Sequence, residues 1–420
     1  MRLGVLGIRN FRLLFLGQAT SSFGDRLAPI AITFAVFDLT KSTSEAAYDL
    51  GFVFAAQTAP MFLLVAAAGV WGDRLPRQLV MLSSDVVRCA SQGTTAALLL
   101  LHQAQVWELV VLQAVYGAAN AFFMPAQIGL IPAVVRSGQL REANALMSLS
   151  RTAAGVVGPA VGGTLVALIS PGVAVAGDAA TFLVSAGSLA LLRLEWPARE
   201  AMGASMLTEF REGLAEVRKR TWIWVLIVYF GLFNIFVWPP FFVLGAAVAN
   251  HSLGGAGAWA ALLVAGSAGI AVGSLVAVRF GASRPLFWGE LACGLSALPA
   301  LFLGLGLPLA PIVAVSFVRS IGLAWGDTLW FTALQEHVPE RTLSRVISLD
   351  QTGTLALVPL GFALVGPFSA VVGVRATLVG SAILTAAATV CAVSVPSVRN
   401  LRAEPQPAPA MPEPTTEPSS

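Results

Sequence analysis

Charged side chains stand inside stretches that are otherwise apolar, among them Asp25, Arg26, Asp85, Arg88, Arg151, Asp178, Arg319 and Asp327. A charge at the centre of a bilayer costs at least about 2.5–3.5 kcal/mol on insertion scales, so it faces a cavity or a partner. The chemistry open to such groups is reversible protonation and exchange of ion-pair partners. A carboxyl that is desolvated in one conformation and paired with a guanidinium in another takes up and releases a proton as the conformation changes. Asp25, midway along the first apolar stretch, is the leading candidate for this role. Arg26 follows it, but adjacent helical residues point about 100° apart and need not pair. The alternative role for Asp25 is a static Asp–Arg clamp between helices. Arg319, in the middle of the tenth stretch, suits an anionic substrate group or a carboxylate partner such as Asp25. Asp178 and Asp327 are the next candidates for proton coupling; Asp178 is expected near the outer surface in an interfacial cap or hydrogen-bond role, and Asp327 near Glu336 as a cytoplasmic gate. Asp85 and Arg88, three residues apart, can pair along one helix face, and Arg151 can snorkel to the cytoplasmic surface.

The elements that must position these groups follow from composition. The chain has 420 residues, 56% hydrophobic and 11% charged, with a mean hydropathy of +0.79. Soluble domains carry about 25% charged residues. Half that charge cannot cover a surface in water, which excludes a soluble enzyme, a disordered chain and a nucleic-acid binder. A bilayer core of about 30 Å takes roughly 20 apolar residues as helix. Twelve such stretches occur: 12–37, 47–70, 78–101, 106–126, 145–169, 172–193, 222–245, 257–279, 285–305, 309–333, 346–371 and 374–396. They are too long, and too little alternating, for membrane strands. The first lacks a small-residue cleavage site and reads as a retained helix. Of the Lys and Arg residues outside the spans, only Lys41 and Arg375 fall on the side opposite the N-terminus. That asymmetry places both termini in the cytoplasm of a multi-pass cell-membrane protein.

Residues 194–221 form the longest charged segment between spans, with Phe210, Leu214 and Val217 at helical spacing. They read as an amphipathic cytoplasmic helix lying along the membrane. The expected fold class is therefore all-α, with twelve transmembrane helices in two pseudo-symmetric six-helix bundles, 1–193 and 222–396. The linker is 194–221, and a Pro-rich disordered cytoplasmic tail spans 397–420. Internal likeness supports the duplication: Ser148-Leu149, Thr152 and Pro159 recur as Ser348-Leu349, Thr352 and Pro359. Phe23 and Pro29 recur as Phe233 and Pro239.

The loop after the second span, Gly69-Val-Trp-Gly-Asp73-Arg74-Leu-Pro-Arg77, joins a close-packing glycine to an aspartate and two arginines. Such groups can pair with carboxylates or with helix C-terminal carbonyls. Here the chain resembles the major facilitator superfamily, whose equivalent loop reads Gly-x-x-x-Asp-Arg-x-Gly-Arg-Arg/Lys. Pro76 and Gln78 replace the usual glycine and the last basic residue. Asn10-Phe-Arg-Leu-Leu-Phe-Leu-Gly-Gln18 with Gly24-Asp25, Ala143-Asn-Ala-Leu-Met-Ser148, Asp178-Ala-Ala-Thr-Phe182 and Gln335-Glu-His-Val-Pro339 with Ser344-Arg345-Val346 resemble the enterobactin-exporter and macrolide-efflux branch. Gly158, Pro159, Gly162 and Gly163 resemble the end of the family's antiporter motif in helix 5. The resemblance implies proton-driven export of small amphiphilic compounds by rocker-switch alternating access. It also implies a cytoplasmic gate built from Gly69, Asp73, Arg74 and Arg77, with Asp85 and Arg88 adjacent, and a helix 1 carboxylate at Asp25.

A substrate pocket is expected near the midplane between the halves, drawing on Gln18, Gln57, Asn120, Phe123, Asn234, Trp238, Trp325 and Trp330. Partners are then a small-molecule substrate, protons and lipid, with the chain acting as a monomer. No spacing suggests a metal, a cofactor or a nucleotide-binding loop, and no nucleophile–base pairing in the spans suggests an enzyme. Two other readings stay open: proton symport for uptake of a small solute, and a non-transporting membrane partner or sensor.

Overall fold

The computed structural model of the protein describes residues 4–194 and 206–403, with the side chains of 44, 66–74, 137 and 206–210 outside that description. Twelve long helices dominate the described chain. The first six are α1 (Arg9–Leu39), α2 (Thr43–Arg74), α3 (Arg77–Leu100), α4 (Val106–Val134), α5 (Leu140–Leu168) and α6 (Pro171–Ala190). The second six are α7 (Thr221–Leu253), α8 (Ala256–Arg279), α9 (Pro285–Gly304), α10 (Leu309–His337), α11 (Glu340–Val372) and α12 (Val374–Ser394). Ten of these contain a segment long and apolar enough to cross a membrane. The other two, α1 and α3, are the polar members, carrying Arg9, Arg12, Asp25 and Arg26, and Arg77, Gln78, Asp85, Arg88 and Gln92. They pack among the apolar helices, α1 on α5 and α6 and α3 on α4 and α6, which completes twelve.

Helix ends are set by local chemistry. The start of α4 is closed by a reciprocal box between Gln105 and Glu108. Ser170 caps α6, and Pro171 takes the first position, where a missing N–H costs nothing. Pro239 and Pro240 remove two donors from α7, whose next turns, Pro240–Gly245 and Ala249–Leu253, widen to π geometry. Breaks in α9 at 295–296 and in α11 at 356–357 precede Pro299 and Pro359. Helices α4, α5 and α11 run further than expected, to Val134 and from Leu140 and Glu340. Backbone hydrogen bonding continues past the apolar run into the aqueous face.

Antiparallel succession places the starts of odd helices and the ends of even ones on one face, here called basal; the other is distal. Helices α2 and α11 pack together, as do α5 and α8. Exchanging the halves, so that helix 2 becomes 8 and helix 11 becomes 5, turns one pair into the other, so the joint is two-fold in kind. Both contacts depend on glycine. A Cβ at Gly163 would lie 2.3 Å from Ala260 Cβ, and one at Gly366 2.5 Å from Tyr48 Cα.

One apolar cluster crosses this joint on the distal side, uniting Val53 and Phe54 with Phe241, Trp259, Phe362 and Val365. The Phe54 and Phe362 rings stand 5.3 Å apart. On the basal side there are two separate clusters. One holds Phe11, Met81, Phe123 and Met147; the other holds Trp222, Ile223, Leu334 and Val346. The molecule is thus sealed distally and divided basally.

Between α6 and α7 lies a linking helix, Met206–Lys219. It docks on α11 instead of lying free along a membrane: Val217 joins the second basal cluster, and Arg345 donates to Glu212. Residues 195–205 and the Phe210 side chain lie outside the described residues, as does the tail from 404. The tail's expected first residues form a helical turn, Pro396–Arg399, which buries Val398. Arg220, hydrogen-bonded to Glu216 with help from Lys219, holds that carboxyl below the usual glutamate range. A depressed carboxyl stabilises the fold above its unfolded pKa and loses that contribution as pH falls through the folded value. Protection of the 211–219 amides, corrected for intrinsic exchange, is therefore expected to fall as pH drops below about 4.5, the glutamate reference. Glu216→Gln should abolish that dependence.

Candidate transport pathway

Helix α1 can approach α6 closely because residue 24 is glycine: a Cβ there would lie 2.4 Å from Asp178 Oδ1 and 2.2 Å from Thr181 Oγ1. The next residue, Asp25, turns toward α3 and α4. Its Oδ1 accepts from the Tyr116 hydroxyl at 2.7 Å and lies 3.7 Å from Arg88 Nη1. Arg88 is fully buried and also donates to Asp85, one turn earlier on α3. Its guanidinium lies 3.9 Å from the Phe123 ring centre and 4.4 Å from that of Phe182. The Asp25 side chain, by contrast, keeps 35% of its surface accessible.

Asp178, fully buried on α6, accepts from Gln92 Nε2 at 2.8 Å, and Gln113 donates to Gln92 in turn at 3.1 Å. Asp178 Oδ1 has no hydrogen-bond partner. Carboxylates from α1, α3 and α6 thus converge around a single guanidinium. One cation faces three carboxyl groups there.

The second six helices carry a different site. A basal cavity of about 380 Å³ is bounded by α7, α8, α10 and α11, with Asn234, Trp238, Asp327, Trp330, Asp350 and Thr354 on its walls. Trp330 Nε1 donates to Asp350 Oδ2 at 3.3 Å, and Asn234 Nδ2 donates to the Thr354 carbonyl at 2.8 Å, beside the break in α11. Arg319 is 6% exposed and lies over aromatic faces, 5.6 Å from the Trp238 ring centre and 5.1 Å from that of Phe241.

Several sequence expectations need correction. The cation beside Asp25 is Arg88, not Arg26 or Arg319. Arg26 is exposed, with its Cβ facing Gly158, and Arg319 rests on the rings of α7. Arg88 and Asp85 pair as their spacing suggests, but Arg88 lies eleven residues beyond Arg77, roughly 16 Å along α3, inside the bundle and away from the loop. Asp178 is sealed in the interior and does not cap an outer surface, but it does take a hydrogen-bond role, with Gln92 as donor. Asp327 shares its cavity with Asp350. Of the expected pocket residues, Asn234, Trp238 and Trp330 line that cavity. Asn120 and Phe123 instead contact Arg88. Gln18 bonds Ser185 and Gln127, and the Gln57 carbonyl sits under Gly117. Trp325 is drawn away to the end of α8, where its indole donates to the Phe280 carbonyl at 2.8 Å.

In the loop motif, Arg77 donates to the Gly129 carbonyl of α4. Gln78, standing where a basic residue is usual, donates to the Leu189 and Leu192 carbonyls at 2.7 and 3.1 Å. The side chains of Gly69, Asp73 and Arg74 lie outside the described residues. In α5, Gly158 and Gly162 receive the α1 backbone, with the Phe23 and Leu27 carbonyls each 3.1 Å from the added Cβ, while Gly163 meets α8. Pro159 is buried between them.

Sequence reasoning missed Tyr116, Gln92, Gln113, Asp350 and Glu290. The signal for Glu290, a carboxylate inside the ninth span, was available. Among the described residues, no group of three or more His, Cys, Asp or Glu is placed to hold a metal ion.

Twelve helices sealed at one face and divided at the other, with ionisable groups inside each half, define a multi-pass membrane transporter. The chain belongs to the Major Facilitator Superfamily, whose family pattern matches residues 14–361. It is 26% identical to the multidrug efflux pump Tap of Mycolicibacterium fortuitum, over 93% of this chain and 96% of that protein. It is 21% identical to macrolide efflux protein A of Streptococcus pyogenes, over 87% and 90%. A further match, 26% identical to the uncharacterized MFS-type transporter YfiS of Bacillus subtilis, spans 49% of this chain and 48% of that one. The fold is similar to a bacterial homologue of the lysosomal transporter Spinster in its inward-facing, unoccupied conformation (TM-score 0.70, 15% identity, 94% and 98% coverage). It is also similar to a bacterial homologue of the iron transporter ferroportin in its inward-facing state (TM-score 0.67, 16% identity, 92% and 99% coverage).

Proposed function

We propose that the protein is a proton-coupled exporter of small amphiphilic molecules, working as a monomer by alternating access. The basal face, with both ends of the helical bundle, is cytoplasmic, and the conformation described here is open inward. The observation that carries this reading is the Asp25–Arg88 pair: an accessible carboxylate held by a buried guanidinium, in a bundle closed on one side only. Substrate enters from the cytoplasm between the two basal clusters. When the halves rock and the distal seal opens, a proton arriving from outside neutralises Asp25 and loosens its hold on Arg88, which keeps Asp85. Return to the inward state delivers that proton to the cytoplasm. Names borne by the relatives, a multidrug pump and a macrolide exporter, support export of amphiphiles.

The test is Asp25→Asn in proteoliposomes of known orientation. Asparagine still accepts from Tyr116 but cannot carry a proton. Transport driven by an imposed pH gradient is expected to fall at least 100-fold, while substrate exchange without a gradient persists. Normal gradient-driven transport by this variant would remove Asp25 from the coupling. Accumulation of substrate on the side toward which protons flow would replace export by uptake.

A further inference from the structure

Each half buries a guanidinium, and the two are matched differently. Arg88 has Asp25 and Asp85. Arg319, in the middle of α10, is 6% exposed and makes no hydrogen bond or ion pair among the described residues. Its Nε is sealed without a partner. Asp327, the next acidic residue of α10, stands eight residues on, about 12 Å along the helix axis. It lines the basal cavity, which Arg319 does not. Arginine stays protonated at any working pH. The rings of Trp238 and Phe241 recover part of the cost of holding its charge at membrane depth, but they do not neutralise it.

Two further donors stand on the same face of α10. Ser316 lies three residues before Arg319, and Ser320 follows four residues after Ser316. Helical hydroxyls commonly bond the carbonyl four residues back, as Thr328 and Thr332 do on this helix. Ser316 and Ser320 are 0% and 1% exposed, and neither Oγ has a partner. Opposite them runs α8, in close contact at Gly269, where an added Cβ would lie 2.3 Å from the Phe317 carbonyl oxygen. Three residues earlier the contact opens. A Cβ added at Gly266 would meet, on α10, Ser320 Oγ at 3.4 Å and Arg319 Nη2 at 3.8 Å. The missing side chain thus leaves a cradle that a single carbon would fill, edged by a free hydroxyl and an unpaired cation. Water there would satisfy the donors and leave the charge; a small anion does both.

We propose that this cradle binds a monatomic anion, with chloride as its occupant, held by Arg319 and Ser320 with Ser316 one turn away. The ion is the counter-charge of the second half, as Asp25 and Asp85 are of the first. The tight approach of α8 at Gly269 excludes larger anions. The site needs no transport to exist and stands apart from the exporter reading.

Chloride itself is the probe. Its NMR line width is measured with the purified full chain in nanodiscs, with gluconate replacing chloride at constant ionic strength. The excess over empty nanodiscs is expected to saturate, and bromide to compete. Gly266→Ala fills the cradle and leaves the charge in place, whereas Ser320→Ala removes a donor without adding bulk. Each should weaken chloride about tenfold, roughly the loss of one charge-assisted hydrogen bond. Arg319→Met should abolish the saturable part, and Arg375→Gln, at an exposed distal arginine, should leave it unchanged. Chloride is also expected to raise the melting temperature of the wild type over that in gluconate, and melting checks that each variant folds. A wild-type protein that broadens chloride no more than empty nanodiscs, a result that needs no variant, overturns the proposal. So does wild-type affinity in both folded cradle variants, or loss of binding in Arg375→Gln, since either places the anion elsewhere.

Discussion

Replacing Arg88 with methionine is expected to destabilise the protein by about 3–5 kcal/mol, the range for removing one partner of a buried ion pair. Methionine fills much of the volume and can still pack on Phe123 and Phe182, so lost packing is a minor part of the effect. The larger part is electrostatic. Asp85, fully buried beside Arg88, keeps one oxygen without any partner even in the wild type, and Asp25 loses its cation. Lysine in this place is a poor substitute. One guanidinium reaches Asp25 and Asp85 and approaches Asn120 at 3.5 Å while lying flat against rings, and an ammonium has neither the fork nor the plane. Adding Asp85→Asn to the methionine variant is expected to recover part of the loss, because the carboxylate paired most directly with Arg88 is then uncharged. Melting of the purified single and double variants measures both effects. An Arg88→Met protein that melts like the wild type would show that water already solvates this site.

Much of the fold was legible because bilayer burial is written as apolar length. Ten helices satisfy that rule outright. The polar α1 and α3 were legible only because long apolar runs flank their charges, which are charges that build the cluster around Arg88. What sequence could not supply was partner choice. Arg26 adjoins Asp25 in the chain, yet helical geometry sends it to the opposite side, where α5 glycines receive α1. Arg88 lies 63 residues from Asp25 and meets it because α3 and α1 both pack on α6. Asp350 was missed for another reason: it sits near the start of the eleventh apolar run, beside the polar first turns of α11, where a carboxylate looks solvated. Only the approach of Trp330 from α10 encloses it. Glycine-rich α5 was readable as a close-packing helix, though not which of its glycines faces α1 and which crosses to α8.

That last distinction leads to the second large effect. Gly163→Ala and Gly366→Ala are each expected to shift the conformational equilibrium away from the distally sealed state. The added methyl at 163 would stand 2.3 Å from Ala260 Cβ, and that at 366 would stand 2.5 Å from Tyr48 Cα and 2.9 Å from the Ala47 carbonyl. Backbone atoms cannot turn aside, so the helices must separate. Overpacking of this kind costs about 1–3 kcal/mol. The cost falls on the state in which the distal seal is closed, because these contacts cross between the halves; packing within each half is untouched. At 1.4 kcal/mol per tenfold, the closed seal loses roughly 5- to 150-fold in relative population. The two sites lie on the two symmetry-related contacts, α5 with α8 and α2 with α11, so their effects should nearly add. Spin labels at Leu168→Cys and Gly257→Cys, on the distal ends of α5 and α8 with Cys89 and Cys391 replaced by serine, report the separation. Leu168 is exposed, and a side chain at 257 meets nothing within 4 Å, so the labels themselves do not disturb the seal. A longer distance should appear in either glycine variant and dominate in the double. If the distribution stays that of the parent while the proteins remain folded, the seal is not held by these contacts, and any rocking of the two halves must pivot elsewhere.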